Sequence, residues 1–466
     1  MEAPHDLVVL GSGPAGEKGA VQAAYFGHRV VVVEKAPEPG GAAVHTGTLP
    51  SKTLRETALY LSGFRARDLY GVSVRLDDPH AAVPRLIARK DAIARQESER
   101  IRHNLARHGV ELVRGEARFV APHTVEVRTP EGPRRIDGRF FLIATGSSPR
   151  NPPDVPIHEP DVYDSDEILA LSHLPKSMVV LGAGVIGCEY ACMFAALGVQ
   201  VVLVEARTQF LPFLDHEVGR RLESAMQHLG IEIRKGHRWG RIHRAANGRI
   251  LCDLADGSVL ESETLLFAAG RVGSTAGLGL EHVGLTADDR GALKVDRHYR
   301  TAMPHVYAAG DVIGFPALAS TSMEQARVAV CHAFGIDYKQ SIGPMLPYGI
   351  YTIPEVSCVG ETEETCREQG IDYVVGRALY RENARGLITG DLEGMTKLVV
   401  HTKTRRLVGT HVIGERASEL VHIGQAVMHL GGTIDTFIEM VFNYPTLSES
   451  FKYAAYSALG ELAKRR

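Results

Sequence analysis

Unbroken apolar runs, each ending in a glycine turn, punctuate this chain, and two of them share one arrangement. The first is Asp6-Leu-Val-Val-Leu-Gly-Ser-Gly-Pro-Ala-Gly16, followed by Val30-Val-Val-Val-Glu34. The second is Ser177-Met-Val-Val-Leu-Gly-Ala-Gly-Val-Ile-Gly187, followed by Val201-Val-Leu-Val-Glu205. A short continuous apolar run suits a strand covered on both faces, as in a parallel sheet. Each copy therefore predicts a buried strand, a glycine turn, a helix and a second strand ending in an acid. Two such units imply two nucleotides. The most apolar stretch, Met178 to Val204, is interrupted by Gly182, Gly184 and Gly187 and carries Glu189. It predicts strand, turn and helix rather than a membrane span.

Between and beyond these copies the texture changes. Arg85 to His108 has helical character and precedes a β-like run. Phe140-Phe-Leu-Ile-Ala-Thr-Gly146 and Val306-Tyr-Ala-Ala-Gly-Asp311 read as strands that return the chain to a ligand, since open α/β sheets bind at the carboxyl ends of their strands. Taken singly, each also fits an ordinary strand end. Asn151 to His158 contains three prolines and predicts a linker. From about Gly343 onward, Lys397-Leu-Val-Val-His401, Leu407-Val-Gly-Thr-His-Val-Ile413 and Val421 to Leu430 suggest strands followed by helices. That region has no third fingerprint, so an α+β domain is expected there.

Composition narrows the class. A chain of 466 residues has room for about three domains. A hydrophobic fraction of 44% and a charged fraction of 23% are ordinary for a globular protein. The formal net charge of −3 offers no electrostatic argument for nucleic acid or an anionic membrane as partner. Met1 to Asp6 leads straight into an apolar strand, with no basic n-region or long apolar h-region, so no secretory signal is expected. The six cysteines, Cys188, Cys192, Cys252, Cys331, Cys358 and Cys366, show neither zinc-type spacing nor a disulfide framework. No metal site is expected, and a cytoplasmic, reducing compartment is. Cys188 and Cys192 share a helix face in the predicted register and suit small buried side chains.

The fingerprint residues have distinct physical tasks. Gly11 permits the tight turn, Gly13 lets backbone approach a pyrophosphate, and Gly16 lets helix and strand pack closely. The helix N-terminus adds free N–H groups and a partial positive charge. Glu34 is placed to accept hydrogen bonds from an adenosine ribose. Gly182, Gly184, Gly187 and Glu205 repeat the set. A carboxylate on the ribose 2′-OH would repel a 2′-phosphate. Charge-assisted hydrogen bonds are worth about 1.5–3 kcal/mol, so a preference for NAD(H) of roughly 10- to 100-fold is expected. Arg207, two residues on, offers a phosphate partial compensation.

Further ordered motifs carry a family resemblance. They are Gly40-Gly41, Gly47-Thr-Leu-Pro-Ser-Lys52, Tyr163-Asp-Ser-Asp166, Gly182-Ala-Gly-Val-Ile-Gly-Cys-Glu-Tyr190 and Gly310-Asp311. To these add Gly349-Ile-Tyr-Thr-Ile-Pro-Glu-Val356, Gly414-Glu-Arg-Ala417, His422-Ile-Gly-Gln425 and Phe442-Asn-Tyr-Pro-Thr446. Over essentially its whole length the chain resembles the flavoprotein disulfide reductases, which include lipoamide dehydrogenase and glutathione reductase. Within that family it is most similar to the soluble pyridine nucleotide transhydrogenases. The resemblance implies an α/β fold with two Rossmann-like dinucleotide-binding domains and a C-terminal α+β dimerisation domain. The FAD-binding domain would span 1–150 and 276–342, the NAD(P)-binding domain 151–275 and the interface domain 343–466. FAD is implied at Gly11, Gly13, Pro14, Ala15, Gly16, Glu34, Lys35, Gly41, Ala117, Thr145, Gly146, Ser147, Asp311 and Ala319. NAD(H), with NADP(H) as a second nucleotide, is implied at Gly182, Gly184, Val185, Ile186, Gly187, Glu205 and Gly270. Lys52 is implied beside the flavin ring and paired with Glu189, which would keep a buried ammonium charged. A helix within Ala317 to Arg327 would aim its N-terminus at the flavin and favour an anionic reduced ring.

The family's two redox cysteines are replaced by Ala43 and Thr48, and its acid–base histidine by Tyr444, while Glu449 remains. Thiol–disulfide exchange needs a thiolate, so reduction of lipoamide, glutathione or mercuric ion by the dithiol route is excluded. His45 and Tyr444 have two readings. They line the vacated flavin face, or they simply pack, with His45 satisfied by a backbone carbonyl. Hydride transfer between pyridine nucleotides through FAD is the expected activity. NADH oxidation by another acceptor, such as a quinone, is the alternative, to which Glu205 and Ala43 lean. A flavin-binding module using NADH only as a signal would need neither the Lys52–Glu189 pair nor the second fingerprint. Pyridine nucleotides are the expected small-molecule partners, and a homodimer the expected assembly.

Overall fold

The computed structural model describes residues 3–62, 79–157 and 159–465. His158, the last residue of the proline-rich linker, lies outside them. The first fingerprint strand, His5–Leu10, is central to a sheet ordered Glu111–Arg114, Val30–Glu34, His5–Leu10 and Gly132–Ile143, all parallel. Val306–Ala308 joins it from far down the chain, with Val306 opposite Phe141. All five residues of Val30–Glu34 are buried, as a strand covered on both faces requires. The strand expected over 140–146 is the end of a longer one. Its first half pairs antiparallel with Thr124–Thr129, which pairs with Glu116–Ala121.

The chain leaves this sheet after Ile143 and builds a second one. Glu232–Lys235, Gln200–Glu205, Ser177–Leu181, Thr264–Phe267 and Val162–Asp164 lie parallel in that order. The connections out and back, Ser147–Pro149 and Arg271–Gly273, pair antiparallel and form a neck between the two units. The third unit is an antiparallel sheet ordered Tyr348–Ile350, Val356–Gly360, Leu407–Ile413, Met395–His401 and Tyr373–Leu379. Helices Ala417–His429 and Ser450–Lys464 pack on it. Two doubly wound units and one α+β unit are the architecture expected from the sequence.

The helix Val185–Ala196 is apolar on every face but for Glu189 and is buried continuously from Gly187 to Ala196. Such a helix must be surrounded. It packs against Thr48–Leu61 of the first unit. One apolar cluster joins Leu59 of that helix, Val180 and Ala191 of the second unit, and Ile353, Met395 and Ile413 of the third. The helix expected from Ala317 starts instead at Ala319. Ala317 has φ 33°, in the left-handed region, and Leu318 is extended, so neither continues a helix.

Candidate functional site

A cavity of about 1630 Å³ runs between the two fingerprints and reaches the third unit at Tyr348 and Tyr351. The turns that open it are near copies. Gly11 has φ 98° and Gly182 has φ 101°, values that L side chains rarely adopt. A Cβ on Gly16 would stand 1.9 Å from the Gly11 carbonyl oxygen, and one on Gly187 1.9 Å from that of Gly182. These two glycines serve the packing of helix on strand, and neither lines the cavity. Helices Pro14–Tyr25, Val185–Ala196 and Ala319–Phe334 each begin at the cavity wall without a side-chain cap. By contrast, Asp215 and Thr362 cap helices elsewhere. Three uncapped helix N-termini leave N–H groups and partial positive charge around one space, which suits phosphates.

The acids at the strand ends are held alike. Glu34 accepts from the Ser12 and Ala36 N–H groups, 2.8 Å each, and from the Ser12 hydroxyl at 2.6 Å. Glu205 accepts from the N–H groups of Ala183 at 2.9 Å and Arg207 at 3.0 Å. Here the structure modifies the expectation. The Arg207 guanidinium also lies on Glu205, with Nε 2.9 Å from Oε1 and Nη2 3.1 Å from Oε2. Burial pushes the Glu205 carboxyl up, but Arg207 more than offsets this and leaves it below its usual value. The carboxylate is neutralised rather than bare.

Lys52 and Glu189 meet at the middle of the cavity, Nζ to Oε2 2.7 Å. The other oxygen of Glu189 accepts from the Tyr351 N–H at 2.9 Å, and the Lys52 ammonium lies 4.8 Å from the centre of the Tyr351 ring. Helix Thr48–Leu61 brings the lysine, the buried helix Val185–Ala196 the glutamate, and the third unit the tyrosine. Nothing in local spacing pointed to Tyr351, because its partner is 162 residues away. Arg271 was also not foreseen. It donates to the Ser147 hydroxyl at 2.9 Å and the Ser147 carbonyl at 2.7 Å, and pairs with Asp166 at 3.2 Å. The Ser147 hydroxyl donates in turn to Asp311 at 2.8 Å, so the neck between the first two units is tied to the strand end that carries Asp311. Burial raises the Asp166 carboxyl, and Arg271 opposes this only in part.

The remaining residues singled out from the sequence fall into two groups. Pro14, Ala15, Lys35, Gly41, Ala117, Thr145, Gly146, Val185, Ile186, Gly270 and Ala319 line the cavity, as do Ala43, His45 and Thr48. Tyr444 and Glu449 do not line it. Tyr444 is 72% exposed, on the surface of the third unit. His45, which lines the cavity, has its Nε2 3.0 Å from the Pro39 carbonyl, with the Ser98 hydroxyl 3.3 Å away. The space suits a dinucleotide. It is long, glycine-walled where phosphates would lie, and lined by Thr145, whose buried hydroxyl has no hydrogen-bond partner.

Comparison with known proteins agrees with this geometry. Residues 5–333 match the model of the pyridine nucleotide-disulphide oxidoreductases, and residues 346–455 that of their dimerisation domain. A soluble pyridine nucleotide transhydrogenase of Mycobacterium bovis is 46% identical over 460 residues, covering 98% of each chain. One from Chromohalobacter salexigens is 40% identical over 462 residues, again covering 98% of each. Among solved structures, LpdA from Mycobacterium tuberculosis superposes with a TM-score of 0.89 at 28% identity, over 97% of this chain and 98% of that one. The Cu(II) complex of the HOCl-induced flavoprotein disulfide reductase RclA from Escherichia coli gives 0.88 at 30% identity, over 98% and 99%. With matches spanning all three units, the chain belongs to the pyridine nucleotide-disulphide oxidoreductase family and is an FAD-dependent enzyme that works with nicotinamide nucleotides.

Proposed function

We propose that this enzyme transfers hydride between NAD(P)H and NAD(P)+ by way of FAD. The observation that carries the reading is the pairing of an intact Lys52–Glu189 bridge with Ala43 and Thr48 where dithiol chemistry would need cysteines. The cavity still connects two dinucleotide sites but holds no thiol to drain electrons. All six cysteines are free, none lines the cavity, and burial pushes the Cys188 and Cys192 thiols up, away from reactive thiolate. The similarity to soluble transhydrogenases over nearly the full length supports the same reading.

FAD would be held by the first fingerprint with Glu34, Lys35, Gly41, Ala117, Thr145, Gly146, Ser147, Asp311 and Ala319. The nicotinamide nucleotide would be held by the second, with Glu205 and Gly270. When bound, FAD supplies the hydride-accepting and hydride-returning chemistry between a reduced nucleotide and an oxidised one. Glu189, fixed by the Tyr351 N–H, holds the Lys52 ammonium at 2.7 Å, with the ammonium over the Tyr351 ring. That charge is available to stabilise negative charge that develops beside it. The uncapped start of helix Ala319–Phe334 adds a second positive pole. NAD(H) is the favoured nucleotide at Glu205, by less than the roughly 10- to 100-fold that a bare carboxylate implies, because Arg207 neutralises it.

The division into 1–150 with 276–342, 151–275 and 343–466 is supported by the return of Val306–Ala308 to the first sheet. The match of residues 346–455 to a dimerisation domain supports a homodimer. In it, the exposed Tyr444 and the half-buried Glu449 would approach the neighbouring subunit's cavity. Six free cysteines favour the cytoplasm, and no helix among the described residues is long and apolar enough to cross a membrane. A second reading, NADH oxidation by a quinone, draws on the open wall at Ala43 and Thr48. One experiment separates the two. Enzyme reduced anaerobically with NADH is mixed in a stopped-flow cell with NADP+, thio-NAD+ or a quinone. Rapid reoxidation by either nucleotide is expected, whereas reoxidation by the quinone alone would retire the transhydrogenase reading.

A further inference from the structure

The two fingerprints hold their terminal acids on matching backbone N–H groups but differ in the side chains beside them, and Ser12, which adds its hydroxyl to Glu34, is replaced by Ala183 in the second copy. In both, the terminal acid accepts from two backbone N–H groups at the same relative positions. Two residues after the acid, the first copy has Ala36 and the second has Arg207. A carboxylate offers about four lone-pair positions. Two backbone N–H groups and two guanidinium N–H groups occupy those of Glu205, at 2.9 to 3.1 Å. In this state the acid has no position left for a ribose hydroxyl. The partners also differ in freedom. The Glu205 side chain is 7% exposed and held by backbone, while that of Arg207 is 53% exposed. The arginine is therefore the group that moves. Its planar fork pairs with phosphate as well as with carboxylate, and both residues line the cavity.

We propose that Arg207 is a reversible gate on Glu205 that lets one site take NAD(H) and NADP(H) in turn. Swung away, it frees the carboxylate for the ribose diol of NAD(H). Turned onto a 2′-phosphate, it supplies the charge that Glu205 alone would deny NADP(H). The inference rests on the transhydrogenase reading, which requires both nucleotides to be accepted.

Calorimetric titration of the oxidised, FAD-loaded enzyme with NAD+ and with NADP+ tests it. Arg207→Ala should raise the ratio of the NADP+ to the NAD+ dissociation constant by about 10-fold or more, and Arg207→Lys by less. Glu205→Gln should move the ratio the other way. A ratio unchanged in Arg207→Ala, or wild-type enzyme without measurable NADP+ binding, would overturn the gate. Exchange from NADH to thio-NAD+ involves no 2′-phosphate and judges the functional reading separately. If wild-type enzyme fails that exchange, hydride relay between nucleotides is wrong, while the binding ratio still decides the role of Arg207.

Discussion

At the scale of single residues, charge and close approach decide what this site tolerates. Lys52 has an acid at 2.7 Å, and that acid is itself anchored to the Tyr351 backbone. Lys52→Met should slow reduction of the bound flavin by NADH by about 10-fold or more while FAD stays bound. Stopped-flow absorbance and the flavin content of the purified variant check both halves, and an unaltered rate removes Lys52 from the mechanism. Gly187 has no room for a methyl group, since its Cβ would stand 1.9 Å from the Gly182 carbonyl oxygen. The obstacle is backbone, which cannot turn aside as a side chain can. Gly187→Ala should distort the second turn, at a cost of about 1–3 kcal/mol, and weaken NAD+ binding while FAD remains. Calorimetry with NAD+ tests this; wild-type affinity would show that the turn can adapt. These glycines and acids were legible in the sequence because local backbone geometry dictates them. Tyr351 and Arg271 were not, because only folding brings them to their partners.

At the scale of elements, a buried cation fastens the second unit to the third. Lys397, on strand Met395–His401, is fully buried. Its ammonium lies 2.7 Å from Asp215, 2.6 Å from Glu363 and 3.0 Å from Glu217. Asp215 also caps helix His216–His228, so the same carboxylate ends a helix and binds a strand of another unit. The carboxylate oxygens of the three acids lie close enough to hold a metal ion, but the ammonium bonds to all three. Removing one member of a buried ion cluster leaves the rest uncompensated, so Lys397→Met should destabilise by about 3–5 kcal/mol in urea unfolding of the holoenzyme. An unchanged midpoint would mean that the acids relax into water. The cluster also sets a pH window. Burial raises the Asp215 carboxyl, but His411 and Lys397 bring it below its ordinary 3.8, so its contribution is present above that value and lost as pH falls further. Burial lowers the Lys397 ammonium, but the three acids raise it past 10.5, so its contribution holds below 10.5 and fades above. His411 is depressed below 6.5, chiefly by burial. The unfolded chain then takes up a proton that the folded one refuses, and stability declines as pH falls from 6.5. Thermal unfolding across pH should show a first loss below 6.5 that His411→Gln flattens, and a second in the carboxylate range. An acid profile without the first step would place His411 outside the linkage.

At the scale of the whole molecule, the third unit presents apolar surface that the described residues leave open. Leu430 is 83% exposed and Val441 92%, within the segment that matches a dimerisation domain. Exposed apolar groups near Tyr444 fit burial in a homodimer. Sedimentation should give twice the 50.6 kDa chain mass, and Val441→Asp should shift the population toward monomer. A dimer indifferent to that charge would move the interface elsewhere.

What the sequence determined by itself was whatever depends on local backbone geometry and side-chain chemistry. The two glycine turns, their buried strands and terminal acids, and the loss of thiols at Ala43 and Thr48 belong here, because each is a property of a few adjacent residues. The meeting of Lys52 with Glu189 came from family likeness, as no local rule relates residues 137 apart. The tertiary structure alone decided three further matters. It laid Arg207 on Glu205, set the Nε2 of His45 against a backbone carbonyl, and gathered Asp215, Glu217, Glu363 and Lys397 from two units. Each depends on which charges and dipoles the packed chain leaves within hydrogen-bond distance, and pattern along a sequence does not encode that distance.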